Sequence, residues 1–292
     1  MLSLKLPGPI VTHDWLMSNF DRVKIIDGSW HLPSENRNAK AEFEQKRIKG
    51  ARFFDIDEVS DHSTDLPHML PSVEQFSSYA SQQGINEQDS IIIYDTKGLL
   101  SSARVWFTFR VFGIDNVAVL NGGLPIWLKY NLPTESGVLE PKTATKFSAK
   151  PKWYFVKSMK QMRENLLISK FQVIDARSTG RFNGSELELR PNLPSGHIPN
   201  SLSIPYNQLV SKSNSHQIPM LKDDKALLSL FHSQGVKIGN QCSIVATCGS
   251  GISACVLALS LELLGHKDWQ VYDGSWTEWA SNKDNPISKG DS

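Results

Sequence analysis

The sequence predicts an α/β protein built from two tandem copies of one domain, each a mainly parallel sheet with helices on both faces. Three observations carry that expectation. The first is an internal repeat: Gly113, Gly122 and Trp127 find counterparts in Gly265, Gly274 and Trp279 at a constant offset of 152 residues. The runs that begin at Ile91 and Ile244 match in the same alignment, and Lys24-Ile-Ile-Asp27 and Ile48-Lys-Gly-Ala match Val173-Ile-Asp175 and Ile198-Pro-Asn-Ser at offsets of 148 and 150. The second is the alternation of short apolar runs with helical segments, the pattern of a parallel sheet with helical crossovers. The third is length: 292 residues are many for one core and comfortable for two.

In chain order, apolar runs predict strands over residues 25–27, 91–94 and 117–120 in the first copy and 173–175, 243–246 and 271–272 in the second. Residues 132–152 are polar, broken by Pro and Gly, and lack periodicity, so they read as a linker. The expected division is a first domain over 1–135, a linker over 136–152 and a second domain over 153–292.

The stretch that carries chemistry is Thr247-Cys248-Gly249-Ser250-Gly251-Ile252-Ser253-Ala254. A buried strand ends at Thr247, and apolar residues at helical spacing over 253–264, closed by Gly265, predict a helix. Cys248 thus sits at the C-terminal edge of a strand, where ligands bind in such sheets, at the lip of a glycine loop entering a helix. Backbone amides of that loop and the helix dipole favour an anion, so Cys248 is expected to be largely thiolate at neutral pH. A merely packing cysteine would not need glycines behind it. The first copy has Thr96 in the cysteine's place, which leaves it no nucleophile, although it remains able to donate residues to a pocket.

Composition excludes several classes. Lys plus Arg is 31 and Asp plus Glu is 30, so no net field draws the chain to nucleic acid or an anionic membrane. No run reaches the length of a membrane span, and the N-terminal residues do not read as a signal peptide. Three cysteines without metal spacing fit a reducing compartment, with the cytoplasm as the default. No metal and no organic cofactor is implied. Cys242 and Cys255 read as packing residues, His197 as a turn residue, Arg177, two residues after a strand-end aspartate, as a structural ion-pair partner, and Trp30, Trp276 and Trp279 as core or pocket wall. A phosphate-ester site of the Cys-loop type would need an arginine six residues after the cysteine, and position 254 is alanine.

Asp175-Ala-Arg, Gly196-His-Ile-Pro199, the Cys248 loop and Tyr272-Asp-Gly-Ser-Trp276 resemble the two-domain sulfurtransferases of the rhodanese family over nearly the whole chain. The loop Cys-Gly-Ser-Gly-Ile-Ser-Ala is similar to the Cys-Gly-Ser-Gly-Val-Thr-Ala of the branch that uses 3-mercaptopyruvate. The thiosulfate branch sets basic residues straight after the cysteine, where this chain has the neutral Gly249 and Ser250. The resemblance implies a persulfide on Cys248 cradled by amides from Gly249 to Ala254, and a substrate carboxylate held by Arg181 and Arg190. It further implies His68, Asp57 and Ser250 working together, with Asp55, Asp61 and Asp65 as competitors for the carboxylate role. The alternative for either arginine is a surface bridge to Glu186 or Glu188. The expected activity is sulfur transfer from 3-mercaptopyruvate to a thiol, cyanide or a thioredoxin-type protein. A thiosulfate sulfurtransferase and a non-catalytic sulfur-carrying or binding module are the alternatives.

Overall fold

The structure, a computed structural model, describes residues 4–212, 217–239 and 242–290, divided between two compact units. In the first unit five strands run parallel in the order Ile10–Val11, Val117–Leu120, Ile91–Tyr94, Lys24–Asp27, Arg52–Phe53. In the second the order is Val156–Lys157, Trp269–Tyr272, Ser243–Thr247, Phe171–Asp175, Ser201–Ser203, again all parallel. Matched along the repeat, the two orders are identical. The three inner strands of each sheet are those the apolar runs predict. The edge strands, of two or three residues, are too short to show a pattern.

All four residues of Ile91–Tyr94 are buried, as a strand covered on both faces requires. Ile92, Tyr94, Ala118 and Leu120 enter one core with Leu16, Phe43 and Trp127. On the other face the helix Ser101–Val111 packs across Ile91–Tyr94 and Val117–Leu120. Each buried aliphatic side chain of this kind contributes roughly 1.5–3 kcal/mol. In the second unit the helix Ala254–Leu263 packs in the same way on Ser243–Thr247 and Trp269–Tyr272.

The repeat glycines stop these two helices by one device. Gly265 N–H donates to the Glu262 carbonyl and His266 N–H to the Leu261 carbonyl, with Gly265 at φ +77°. Gly113 and Ile114 do the same with Arg110 and Phe109, with Gly113 at φ +97°. Both are paired terminal bonds around a left-handed residue, a conformation that costs a non-glycine side chain about 1 kcal/mol or more. The repeated turn also persists: Ala51 N–H bonds the Ile48 carbonyl and Ser201 N–H the Ile198 carbonyl, around Gly50 and Asn200.

Two segments depart from a simple division by halves. Residues 63–69 cluster with the second unit, and Pro219–Leu221 with the first. In the first unit Asn121 Oδ1 accepts from Leu221 N–H at 2.8 Å, and the Pro219 carbonyl lies where a Cβ on Gly98 would sit. The stretch 136–152, expected as a linker, belongs to the first unit. Its Thr145 N–H bonds the Ser81 carbonyl, Phe147 and Ala149 bond the hydroxyls of Ser81 and Ser77, and Phe147 and Ala149 are buried. Among the described residues no helix is long and apolar enough to cross a membrane.

Candidate active site

Cys248 follows directly on the strand Ser243–Thr247 and is only 2% exposed. Its loop turns its carbonyls outward to donors. Trp276 N–H bonds the Cys248 carbonyl at 2.9 Å, and Thr277 gives its N–H and its hydroxyl to the Gly249 carbonyl at 3.0 and 2.7 Å. Cys255 Sγ bonds the Gly251 carbonyl, while the amides of Cys255 and Val256 bond the carbonyls of Ile252 and Ser253. The amides of Gly249, Ser250, Ile252, Ser253 and Ala254 have no protein acceptor among the described residues. A loop that engages most of its carbonyls and leaves those five N–H groups without a protein acceptor among the described residues is an anion cradle. Ser253 caps the helix by backbone position alone, without a side-chain bond.

The first unit shows what such a loop does when it supplies its own anion. There Asp95 stands where Thr247 stands in the second unit. Its carboxylate accepts from the amides of Lys97, Leu100 and Ser102 at 2.9, 2.7 and 2.9 Å and from the Ser102 hydroxyl at 2.6 Å. The two loops have equal length, although the left-handed residue shifts from Gly98 to Gly251. Thr247 brings no charge, and its buried hydroxyl has no partner among the described residues. The cradle beside Cys248 therefore lacks the internal carboxylate that closes its counterpart. Sequence reasoning missed this contrast, although an aspartate facing a threonine across the repeat was its visible signal.

Ser275 holds the loop from the other side. It lies at φ +51°, matching φ +52° at Gly123 in the first unit, and its hydroxyl accepts the Cys248 N–H at 3.3 Å while donating to the Tyr272 carbonyl at 2.8 Å. A serine kept where the repeat has glycine is explained by those two bonds, which a glycine could not make.

Two guanidinium groups converge on the loop. A Cβ placed on Gly249 would lie 3.1 Å from Arg181 Nη2 and 3.7 Å from Arg190 Nη1. Arg181 is on the short helix Thr179–Asn183, capped by Ser178, and Arg190 is on the loop that follows. Arg181 gives Nε and Nη2 to Glu188 at 3.1 and 2.5 Å. Glu188 also accepts from Arg177, a fully buried guanidinium that chelates Asp175 and lies over the Trp276 ring at 4.2 Å. Burial acts to lower Arg177, and the Asp175 and Glu188 carboxylates outweigh it and hold it above its ordinary value. Arg190 has no carboxylate in ion-pairing range among the described residues. Burial pulls it below its ordinary value, and the neighbouring Cys248 opposes that pull. The bridge weighed as an alternative thus exists for Arg181, but it is buried and leaves the guanidinium beside the cysteine loop.

His68 belongs to the second unit through the segment 63–69, and its Nδ1 lies 2.9 Å from Ser250 Oγ. Both residues are buried, and His68 is held at φ +61°, an uncommon conformation for a non-glycine residue. Asp57 belongs to the first unit, where its carboxylate accepts the Trp30 indole N–H at 3.0 and 3.1 Å. One unit therefore brings together Cys248, Ser250, His68, Arg181 and Arg190. His197, read as a turn residue, gives Nδ1 to the Phe182 carbonyl and stacks on the Phe182 ring.

A family model described as a rhodanese-like domain matches residues 12–130 and again 156–282. The chain is 41% identical over 272 residues to the human 3-mercaptopyruvate sulfurtransferase, covering 92% of this chain and 89% of that protein. It is 38% identical over 312 residues to the Arabidopsis thaliana thiosulfate/3-mercaptopyruvate sulfurtransferase 1, mitochondrial, covering 99% and 80%. The crystal structure of SseA from Escherichia coli, described with the fold and mechanism of 3-mercaptopyruvate sulfotransferases, aligns with a TM-score of 0.82 at 34% identity, over 92% of this chain and 99% of that one.

Proposed function

The chain belongs to the rhodanese family as two tandem rhodanese-like domains, and from that premise we propose how its residues carry out sulfur transfer. The donor is 3-mercaptopyruvate, the substrate of the 3-mercaptopyruvate sulfurtransferases that it resembles over most of its length. Cys248 attacks the donor sulfur as the thiolate. The S–S bond forms as the carbon–sulfur bond breaks, and the electron pair moves onto carbon and through it to the carbonyl oxygen as an enolate. The proton of the donor thiol ends on that carbon, releasing pyruvate and leaving an anionic persulfide on Cys248. Arg190, with Arg181, binds the carboxylate, and guanidinium forks suit a planar α-keto acid. Ser250, hydrogen-bonded to His68, donates to the developing enolate oxygen, and that pair carries the proton. Gly249, Gly251, Ile252, Ser253 and Ala254 supply the cradle for the outer sulfur.

The outer sulfur passes to a thiolate, to cyanide, or to a thioredoxin-type dithiol that releases it as hydrosulfide while closing its own disulfide. Three free cysteines support a reducing, cytoplasmic setting. The observation that carries the proposal is the set of unclaimed amides around Cys248 with two guanidinium groups converging on Gly249. Intact-mass analysis after exposure to 3-mercaptopyruvate tests it. Wild type should gain one sulfur and Cys248→Ser none; a sulfur adduct or normal turnover in the variant refutes the mechanism. Thiosulfate run in parallel ranks the two donors.

A further inference from the structure

We propose that Glu188 sets the charge of the substrate wall, and through it the preference for a donor with one negative charge over one with two. This rests on the carboxylate-binding role given above to Arg181 and Arg190. The wall holds three guanidinium groups, Arg177, Arg181 and Arg190, and two carboxylates, Asp175 and Glu188. Asp175 is spent on Arg177, which holds it through three contacts of 2.6 to 3.1 Å. Glu188 is spent on Arg177 and Arg181 together, with its side chain 2% exposed. One positive charge is left over, on the Arg190 side of Gly249.

That surplus matches the single carboxylate of an α-keto acid and falls one short of a dianion such as thiosulfate. Specificity is a difference between two affinities, and leaving one charge of the competing donor unpaired is an effective way to widen it. Glu188 acts here at short range: it lies 2.5 Å from Arg181 Nη2, which in turn is 3.1 Å from the Cβ position of Gly249. Burial keeps the interaction from being screened as a surface pair would be. Glu188 is thus a positioning residue for Arg181 and a specificity residue for the donor, touching no reacting atom.

Glu188→Gln keeps shape and one acceptor oxygen while removing the charge. The ratio of kcat/KM for 3-mercaptopyruvate to that for thiosulfate should fall at least about tenfold, a lower bound for one charge interaction at this range and effective dielectric. Glu188→Asp, which keeps the charge, should hold the ratio close to wild type. A purely structural role would lower both substrates together and leave the ratio in place, and that result overturns the inference. Wild type gives a check that needs no variant: at constant ionic strength sulfate should inhibit competitively more weakly than pyruvate. Sulfate binding as tightly as pyruvate also overturns the inference. A wild-type preference for thiosulfate would sink the functional reading as well, which distinguishes the two failures.

Discussion

Thr247→Asp should give the second unit the internal anion that closes the first, and silence the enzyme without unfolding it. The side chains are close in size, and Thr247 is buried with its hydroxyl unpartnered, so the exchange breaks no existing bond among the described residues. In the first unit the matching Asp95 gathers four donors at 2.6 to 2.9 Å. In the second unit, Gly249, Ile252 and Ala254 offer the three corresponding amides. A hydrogen bond to a charged group contributes about 1.5–3 kcal/mol, so three contribute roughly 4.5 kcal/mol at the low end. A persulfide or enolate must displace that carboxylate to use the cradle, which costs about three decades of rate at roughly 1.4 kcal/mol per decade. Repulsion of the neighbouring thiolate deepens the loss. The assay is single-turnover persulfide formation followed by intact mass, with circular dichroism to show that the fold is kept. Thr247→Val is the control and should stay near wild type, since it removes a hydroxyl that has no partner among the described residues. Persulfide formation in the aspartate variant within tenfold of wild type would refute the idea that free amides make the site.

Arg190→Ala should raise KM for 3-mercaptopyruvate more than Arg181→Ala does, because Arg181 already shares Glu188; steady-state kinetics decide it, and equal KM values in both variants and wild type would remove the carboxylate assignment. A second test concerns Asp27, which matches Asp175 but has Ser29 where the second unit has Arg177. Burial pushes its carboxyl up to about 7 from an ordinary 3.8. The unfolded chain ionises Asp27 first, so its contribution to stability is fully present below about pH 4 and is lost as pH rises towards 7. Asp27→Asn should therefore gain on wild type across that window in denaturant titrations, and a pH-independent difference would count against it.

The legible parts of this chain share a cause. Inner strands buried on both faces are apolar along their middles, so residues 91–94 and 244–246 announce themselves, and helices stopped by a left-handed glycine put Gly113 and Gly265 in register. The Cys248 loop was legible because its chemistry needs small residues at fixed places. What stayed hidden depends on partners far apart in sequence. Nothing near Glu188 says that Arg177 will bury it against Arg181, and two-residue edge strands such as Arg52–Phe53 carry no period at all. The helix under Arg181 is five residues long and rests on its Ser178 cap, too little for periodicity to register.

The crossing-over of residues 63–69 bears on how this molecule can change over time. Duplication usually leaves one copy free to be discarded, and an enzyme whose nucleophile, cradle and arginines all follow residue 152 looks ready for such a loss. Yet a gene trimmed to that portion would encode a protein without His68, leaving Ser250 with no imidazole beside it. The half without the cysteine thus carries the imidazole that lies against Ser250, and any shortened descendant would have to supply that contact anew.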